Sequence, residues 1–181
     1  MAPRAIVRDL CAKERRAVRY DSGQSVVQHA PGNPNLHGEY MSMDESIDRY
    51  SILFVDDDIS VLKALKRLLR DEDYDVHTAT NYRETMSLLA SRTFAVAISD
   101  FKMPGITGDD LLGVIKSCCP ATIRVMLSGT TDSRSVPAEI ADGILNCQLF
   151  LSKPWGDAEL VDTIRKCIDR YKATRESLSN S

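Results

Sequence analysis

From residue 51 onward the chain alternates between short apolar runs and stretches of helical spacing. Ile52-Leu53-Phe54-Val55 is the first run, and Asp56-Asp57-Asp58 closes it. Over 59–71, Ile59, Leu62, Leu65, Leu68 and Leu69 recur every three or four positions, which predicts a helix that Asp58 is placed to cap. Residues 75–79 read as a weaker strand. Asn81 with Glu84 has the spacing of a capping box for a helix carrying Met86, Leu88 and Leu89. Residues 94–98 form a buried strand that ends at Ser99-Asp100, and Met103-Pro104-Gly105-Ile106-Thr107-Gly108 is a loop by its Pro and Gly. A helix then carries Leu111, Leu112, Val114 and Ile115 and is bounded by Pro120. Residues 123–127 are a strand ending at Ser128, and a less defined helix follows over roughly 134–142. Gln148-Leu149-Phe150-Leu151 is the last strand and runs into Ser152-Lys153-Pro154-Trp155. The final helix carries Leu160, Val161, Ile164, Cys167, Ile168 and Tyr171.

Strands alternating with helices imply right-handed crossovers and a parallel sheet covered on both faces. Continuous apolar strands agree, because a strand covered on both sides has no polar face. The expected domain covers 50–172, with residues 173–181 as a C-terminal tail. Residues 1–49 differ and are expected to be a disordered N-terminal extension. Residues 1–19 carry six basic side chains against Asp9 and Glu14, with apolar residues loosely at helical spacing. An anchor for a membrane or partner and an unstructured extension are the two readings, and the narrow apolar face favours the second. Residues 21–46 are polar and rich in Gly, Pro, Asn and Ser. Met41 and Met43 stand just before the regular part and are alternative translation starts.

The bulk numbers narrow the class. A chain of 181 residues suits one domain with extensions. A net charge of -3 gives no electrostatic reason to expect direct nucleic-acid binding. No apolar run approaches the roughly 20 residues needed to cross a bilayer, so no membrane role is expected. The five cysteines, an odd count without regular spacing, argue against a disulfide framework and for a reducing, cytoplasmic setting. Nothing near Cys118 and Cys119 would lower a thiol pKa, so a redox role for that pair is disfavoured.

Chemistry collects at the strand ends. In open parallel sheets, sites form beyond the carboxyl ends of the strands near the switch in strand order. The first strand ends in Asp56 and Asp57, the third in Asp100, the fourth in Ser128 and the fifth in Lys153. Each alone is an ordinary strand-end polar residue; together they converge on one task. Two carboxylates about 4 Å apart repel by roughly 4 kcal/mol at an effective dielectric near 20. Such a cluster holds a proton or binds a cation, and hard oxygen donors suit Mg²⁺. A metal also screens an incoming phosphoryl group from the attacking carboxylate. Lys153 and Ser128 would each meet a phosphoryl oxygen.

At these residues the sequence resembles the receiver domains of response regulators in bacterial two-component signalling. The resemblance rests on Ile52-Leu53-Phe54-Val55-Asp56-Asp57-Asp58, Ile98-Ser99-Asp100-Phe101-Lys102-Met103-Pro104-Gly105, Met126-Leu127-Ser128-Gly129 and Phe150-Leu151-Ser152-Lys153-Pro154, in that order. It implies a flavodoxin-like, doubly wound α/β fold with a five-stranded parallel sheet in order 2-1-3-4-5. It implies Asp100 as phosphoacceptor, and Mg²⁺ held by Asp57, Asp100 and the Lys102 carbonyl, with Asp56 helping directly or through water. Ser128 would be the switch hydroxyl, Phe150 the switch aromatic, and Lys153 the phosphoryl contact, followed by a cis Lys153-Pro154 bond. Phosphorylation would draw Ser128 toward Asp100 and let Phe150 turn inward, reshaping the face of the fourth helix, fifth strand and fifth helix for a downstream protein target. Plain core packing is the equal alternative for Phe150.

The implied role is signalling rather than enzymatic, with a histidine kinase or histidine phosphotransfer protein as donor. Lys102 and Thr130 occupy positions that tune dephosphorylation in the family. Neither is an acid or amide, so a slowly lost phosphoryl group is expected. Ser128-Gly129 with Lys153-Pro154-Trp155 resembles receivers fused to HD-type phosphodiesterase or kinase modules. The chain is nonetheless expected to act as a single-domain response regulator, since about ten residues follow the last helix. Two other readings compete. A haloacid-dehalogenase-type phosphatase would use Asp56-x-Asp58, Ser128 and Lys153, but its last acidic motif would fall at Gly156-Asp157, on a helix start, and Asp100 would have no role. A receiver-fold adaptor that is never phosphorylated would have no need of the complete acidic set.

Overall fold

The computed structural model describes residues 49–129 and 145–179. Five strands and four helices occupy them: β1 (Tyr50–Val55), α1 (Ile59–Leu68), β2 (Tyr74–Ala79), α2 (Tyr82–Ser91), β3 (Val96–Asp100), α3 (Gly108–Cys118), β4 (Ile123–Ser128), β5 (Leu149–Ser152) and α4 (Asp157–Ser179). The expected helix over 134–142, Thr130 and the N-terminal extension up to residue 48 lie outside the described residues. The strands form one parallel sheet in order β2-β1-β3-β4-β5, so the expected flavodoxin-like α/β topology is present.

Alternation along the strands builds two core layers. Ile52, Phe54, Val96, Ile98, Ile123 and Val125 face one side and meet Leu62 and Leu65 of α1 and Leu160, Ile164 and Cys167 of α4. Leu53, Val55, Ala97 and Met126 face the other and meet Met86 and Leu89 of α2 and Leu111, Leu112 and Ile115 of α3. Successive side chains point to opposite faces, so a strand covered on both sides must be apolar throughout. Burying one such side chain is worth roughly 1.5–3 kcal/mol. The sheet is therefore a rigid floor on which the strand ends stand.

The caps follow the sequence with one variation. Asp58 accepts from the Ser60 N–H at 2.7 Å and opens α1. Asn81 accepts from the Glu84 N–H at 3.0 Å, as the capping box predicts, but the Glu84 carboxylate reaches back to the Thr80 N–H at 2.8 Å and to Asn81 Nδ2 at 3.0 Å rather than to the Asn81 main-chain N–H. Helix α4 runs on to Ser179, so the expected tail from residue 173 is helical over 173–179. No Gly or Pro interrupts residues 157–179, and the Thr174 hydroxyl folds back onto the Arg170 carbonyl at 2.9 Å. The four described cysteines, Cys118, Cys119, Cys147 and Cys167, form no disulfide and are all buried. Among the described residues no helix is long and apolar enough to cross a membrane.

Candidate functional site

The order β2-β1-β3 places the topological switch between β1 and β3, and the acidic residues stand there. Val55 pairs with Ser99, Asp100 with Leu127, and Ser128 with Ser152. Asp56, Asp100, Ser128 and Lys153 thus lie across one edge of the sheet, just past β1, at the ends of β3 and β4, and just past β5. The ladders of two buried layers fix that alignment, since slipping a strand by one residue would exchange its faces.

Lys153 closes the site. Its ammonium reaches back over β4 and donates to Asp56 Oδ2 at 2.8 Å and to Asp100 Oδ1 at 2.6 Å. The Asp56 side chain is 2% exposed, that of Asp100 11% and that of Lys153 25%, so these charges meet in a partly desolvated pocket. Burial works against the ammonium, but its bonds to Asp100 and Asp56 outweigh that and raise its pKa above the ordinary value. The main chain satisfies the remaining carboxylate oxygens. Asp58 N–H donates to Asp56 Oδ1 and Lys102 N–H to Asp100 Oδ2, each at 2.9 Å. Ser128 is buried at the next strand end, and its carbonyl accepts from Lys153 N–H at 2.7 Å. The Lys153-Pro154 peptide is cis. Trp155 lies beside the pocket, its ring centroid 5.9 Å from the ammonium.

Of the residues singled out from sequence, Asp56, Asp100 and Lys153 are in direct contact. Asp57 is exposed beside Asp56, and Lys102 is exposed with its main chain turned to Asp100. Phe150 is half-buried against the α2–α3 core layer. The lysine thus pairs with Asp56 and Asp100, whereas Asp58 is an exposed helix cap and Asp157 opens α4, against the arrangement a phosphatase reading needs.

The donor set fits a hard divalent cation. Two carboxylates share one ammonium, leaving an excess negative charge, and Asp57 adds another at the rim. Among the described residues no three His, Cys, Asp or Glu side chains close around one point as a cage. Mg²⁺ takes few protein carboxylates and keeps its waters, so an open oxygen site is what it suits.

The loop after Asp100 adds two features that the residues singled out from sequence do not include. Thr107 caps α3, accepting from the Asp110 N–H at 3.1 Å and donating to Asp110 Oδ2 at 2.7 Å. The Thr-x-x-Asp spacing was the available signal. Gly108 packs so closely that a Cβ there would lie 2.0 Å from the Asp100 carbonyl oxygen. No local pattern marks that glycine off from its loop neighbours. A separate cavity of about 660 Å³ lies between α2 and α3, lined by Tyr82, Arg83, Pro104, Ile106 and Val114 among others, away from the acidic pocket.

The response regulator receiver domain model matches residues 52–165, and the chain belongs to that family. It is 33% identical over 120 residues to the hydrogenase transcriptional regulatory protein HoxA of Cupriavidus necator, covering 66% of this chain and 24% of HoxA. The chain therefore spans about a quarter of that relative's length. Among solved structures it resembles the signal receiver domain of an HD domain-containing protein from Pseudomonas fluorescens, with TM-score 0.63, 34% identity, and coverage of 71% of this chain and 93% of that one. It also resembles the response regulator TrrA of Thermotoga maritima, solved in complex with Mg²⁺-BeF, with TM-score 0.57, 26% identity, and coverage of 65% and 98%.

Proposed function

We propose that Asp100 is the phosphoacceptor of this receiver, charged by a histidine kinase or a histidine phosphotransfer protein in a Mg²⁺-dependent reaction. The observation that carries the reading is the Lys153 ammonium shared between Asp56 and Asp100 at the switch point of the sheet. An Asp100 carboxylate oxygen forms a bond to phosphorus while the bond from phosphorus to the donor's imidazole nitrogen breaks. The imidazole leaves with the electron pair and takes a proton from solvent. Lys153 turns from the Asp100 carboxylate to a phosphoryl oxygen as a point charge, and Ser128 donates a hydrogen bond to another. Asp56, Asp57, Asp100 and the Lys102 carbonyl would hold Mg²⁺, which when bound screens the charge between nucleophile and phosphoryl group. Asp56, fixed by Asp58 N–H and Lys153, orients the ammonium.

Signal then leaves through packing. Phe150 lacks a hydroxyl and is half-buried, so an inward turn would change shape without making or breaking a hydrogen bond. The face around β5 would present that change to a protein target. The transcriptional role named for HoxA belongs to a protein of which the match covers 24%, and direct DNA contact is not part of this proposal.

Acetyl phosphate with Mg²⁺ tests the reading. Wild-type protein is expected to gain one phosphoryl group by intact mass, and Asp100→Asn none. Equal labelling of the two would refute Asp100 as acceptor.

A further inference from the structure

One side chain ties the first turn of α3 to the approach of β5. Asp109 Oδ1 accepts from the Asn146 N–H at 2.6 Å, and Asp109 Oδ2 accepts from Asn146 Nδ2 at 2.9 Å. A carboxylate gripping a main-chain and a side-chain donor of one residue is a charge-assisted, two-point contact. Asn146 is itself anchored. Its carbonyl accepts from Nε of the buried Arg124 at 2.9 Å, and Gln148 bonds the Arg124 main chain in both directions, at 2.9 and 2.8 Å. Gly113 makes room, since a Cβ there would come within 3.0 Å of Asn146 Nδ2. Asp109 is thus held to β4 and β5 across 37 residues of chain.

Its other neighbour is the acceptor loop. Phe101 N–H donates to the Leu127 carbonyl and Gly108 N–H to the Phe101 carbonyl, each at 2.9 Å, so residues 101–108 close into a ring. The ring carries Lys102, whose N–H holds Asp100 Oδ2 at 2.9 Å. Gly108 rests on the Asp100 carbonyl, and Asp109 is the first residue outside the ring. Fixing Asp109 therefore fixes the stem of the loop that orients the acceptor carboxylate. Thr107 caps the helix from within, whereas Asp109 hydrogen-bonds this turn to the approach of β5.

We propose that Asp109, acting through Asn146, is a positioning residue for phosphoryl transfer to Asp100; this rests on the phosphoacceptor reading above. The carboxylate touches no reacting atom. It holds the loop so that Asp100 and Lys102 keep the geometry transfer needs, and small misplacements of a nucleophile have large kinetic effects.

The experiment measures initial rates of labelling by acetyl phosphate with Mg²⁺, alongside thermal melts, for wild type, Asp109→Ala, Asn146→Ala and the exchange Asp109→Asn with Asn146→Asp. Asp109→Ala is expected to slow labelling about ten-fold, and Asn146→Ala about three-fold because the main-chain bond survives. The exchange keeps the main-chain bond from residue 146 and reverses donor and acceptor in the side-chain bond, and is expected to restore the rate to within about two-fold of wild type. A merely structural contact would move the melts and leave the rate of the folded protein alone. Wild type that takes no label refutes the phosphoacceptor reading itself. Wild type that labels beside an Asp109→Ala variant of equal rate overturns the positioning role alone, as does an exchange variant that stays slow. If Asp109→Ala does not fold, Asn146→Ala and the exchange variant decide.

Discussion

Lys153 carries more of the site's balance than any other single side chain. It is the cation that the described residues place against Asp56 and Asp100, at 2.8 and 2.6 Å. Removing it as Lys153→Met leaves two largely buried carboxylates facing each other. Breaking a buried pair from one side typically costs 3–5 kcal/mol, and with the ammonium one-quarter exposed we expect about 3 kcal/mol. A cation in the pocket can replace the lost charge, so millimolar Mg²⁺ should recover more stability in the variant than it adds to wild type. Urea melts with and without Mg²⁺ measure both quantities; a variant as stable as wild type without Mg²⁺ would show that the pair contributes nothing. The lysine's raised pKa fixes the pH window. Its contribution is complete below the ordinary value of 10.5 and is lost only as pH climbs through the higher folded value.

At the scale of elements, the two glycines of the acceptor loop separate a steric demand from a backbone one. Gly105 has φ +83° with nothing within 4 Å of a Cβ, so Gly105→Ala meets only the left-handed penalty, about 1 kcal/mol. Gly108→Ala would drive a methyl to 2.0 Å from the Asp100 carbonyl oxygen, a backbone atom that cannot swing aside. We expect about 3 kcal/mol, the upper end of overpacking costs, together with slower labelling of Asp100. Equal melts for the two variants would mean that α3 does not need its close seat on β3. Much of this level is legible in sequence, because Asp58, Asn81 and the doubly apolar runs obey local rules of spacing. The seat of Gly108 and the grip of Asp109 on Asn146 are not. The first depends on where a crossover brings two backbones, and the second joins residues 37 apart that share no period. Strand ends were also shifted: Phe94 and Ala95 continue the apolar run, yet β3 begins at Val96, and Ala95 N–H bonds the Ser51 carbonyl at 2.9 Å just before it.

For the whole molecule, the two core layers react alike to alkali because each encloses a thiol. Cys147 lies in the α2–α3 layer and Cys167 in the α1–α4 layer. Burial pushes Cys147 up to about 11, helped by the charge of Asp109, and Cys167 up to about 12. The unfolded chain gives up these protons near 9.0, where the fold still holds them. Stability from the neutral thiols is therefore complete below pH 9 and is lost as pH rises toward the folded values. Each thiol accounts for at most about 1.4 kcal/mol per pH unit in that window. Lys153 loses its contribution in the same direction, but from a higher starting pH. Both cores should thus weaken together above pH 9, whatever the state of the acidic pocket. Urea melts at pH 8 and pH 10.5 measure the fall, and combining Cys147→Ala with Cys167→Ala should flatten it even though the variant starts less stable from its small cavities. An unchanged slope in the double variant would assign the alkaline loss to other groups, with Cys147 and Cys167 as bystanders.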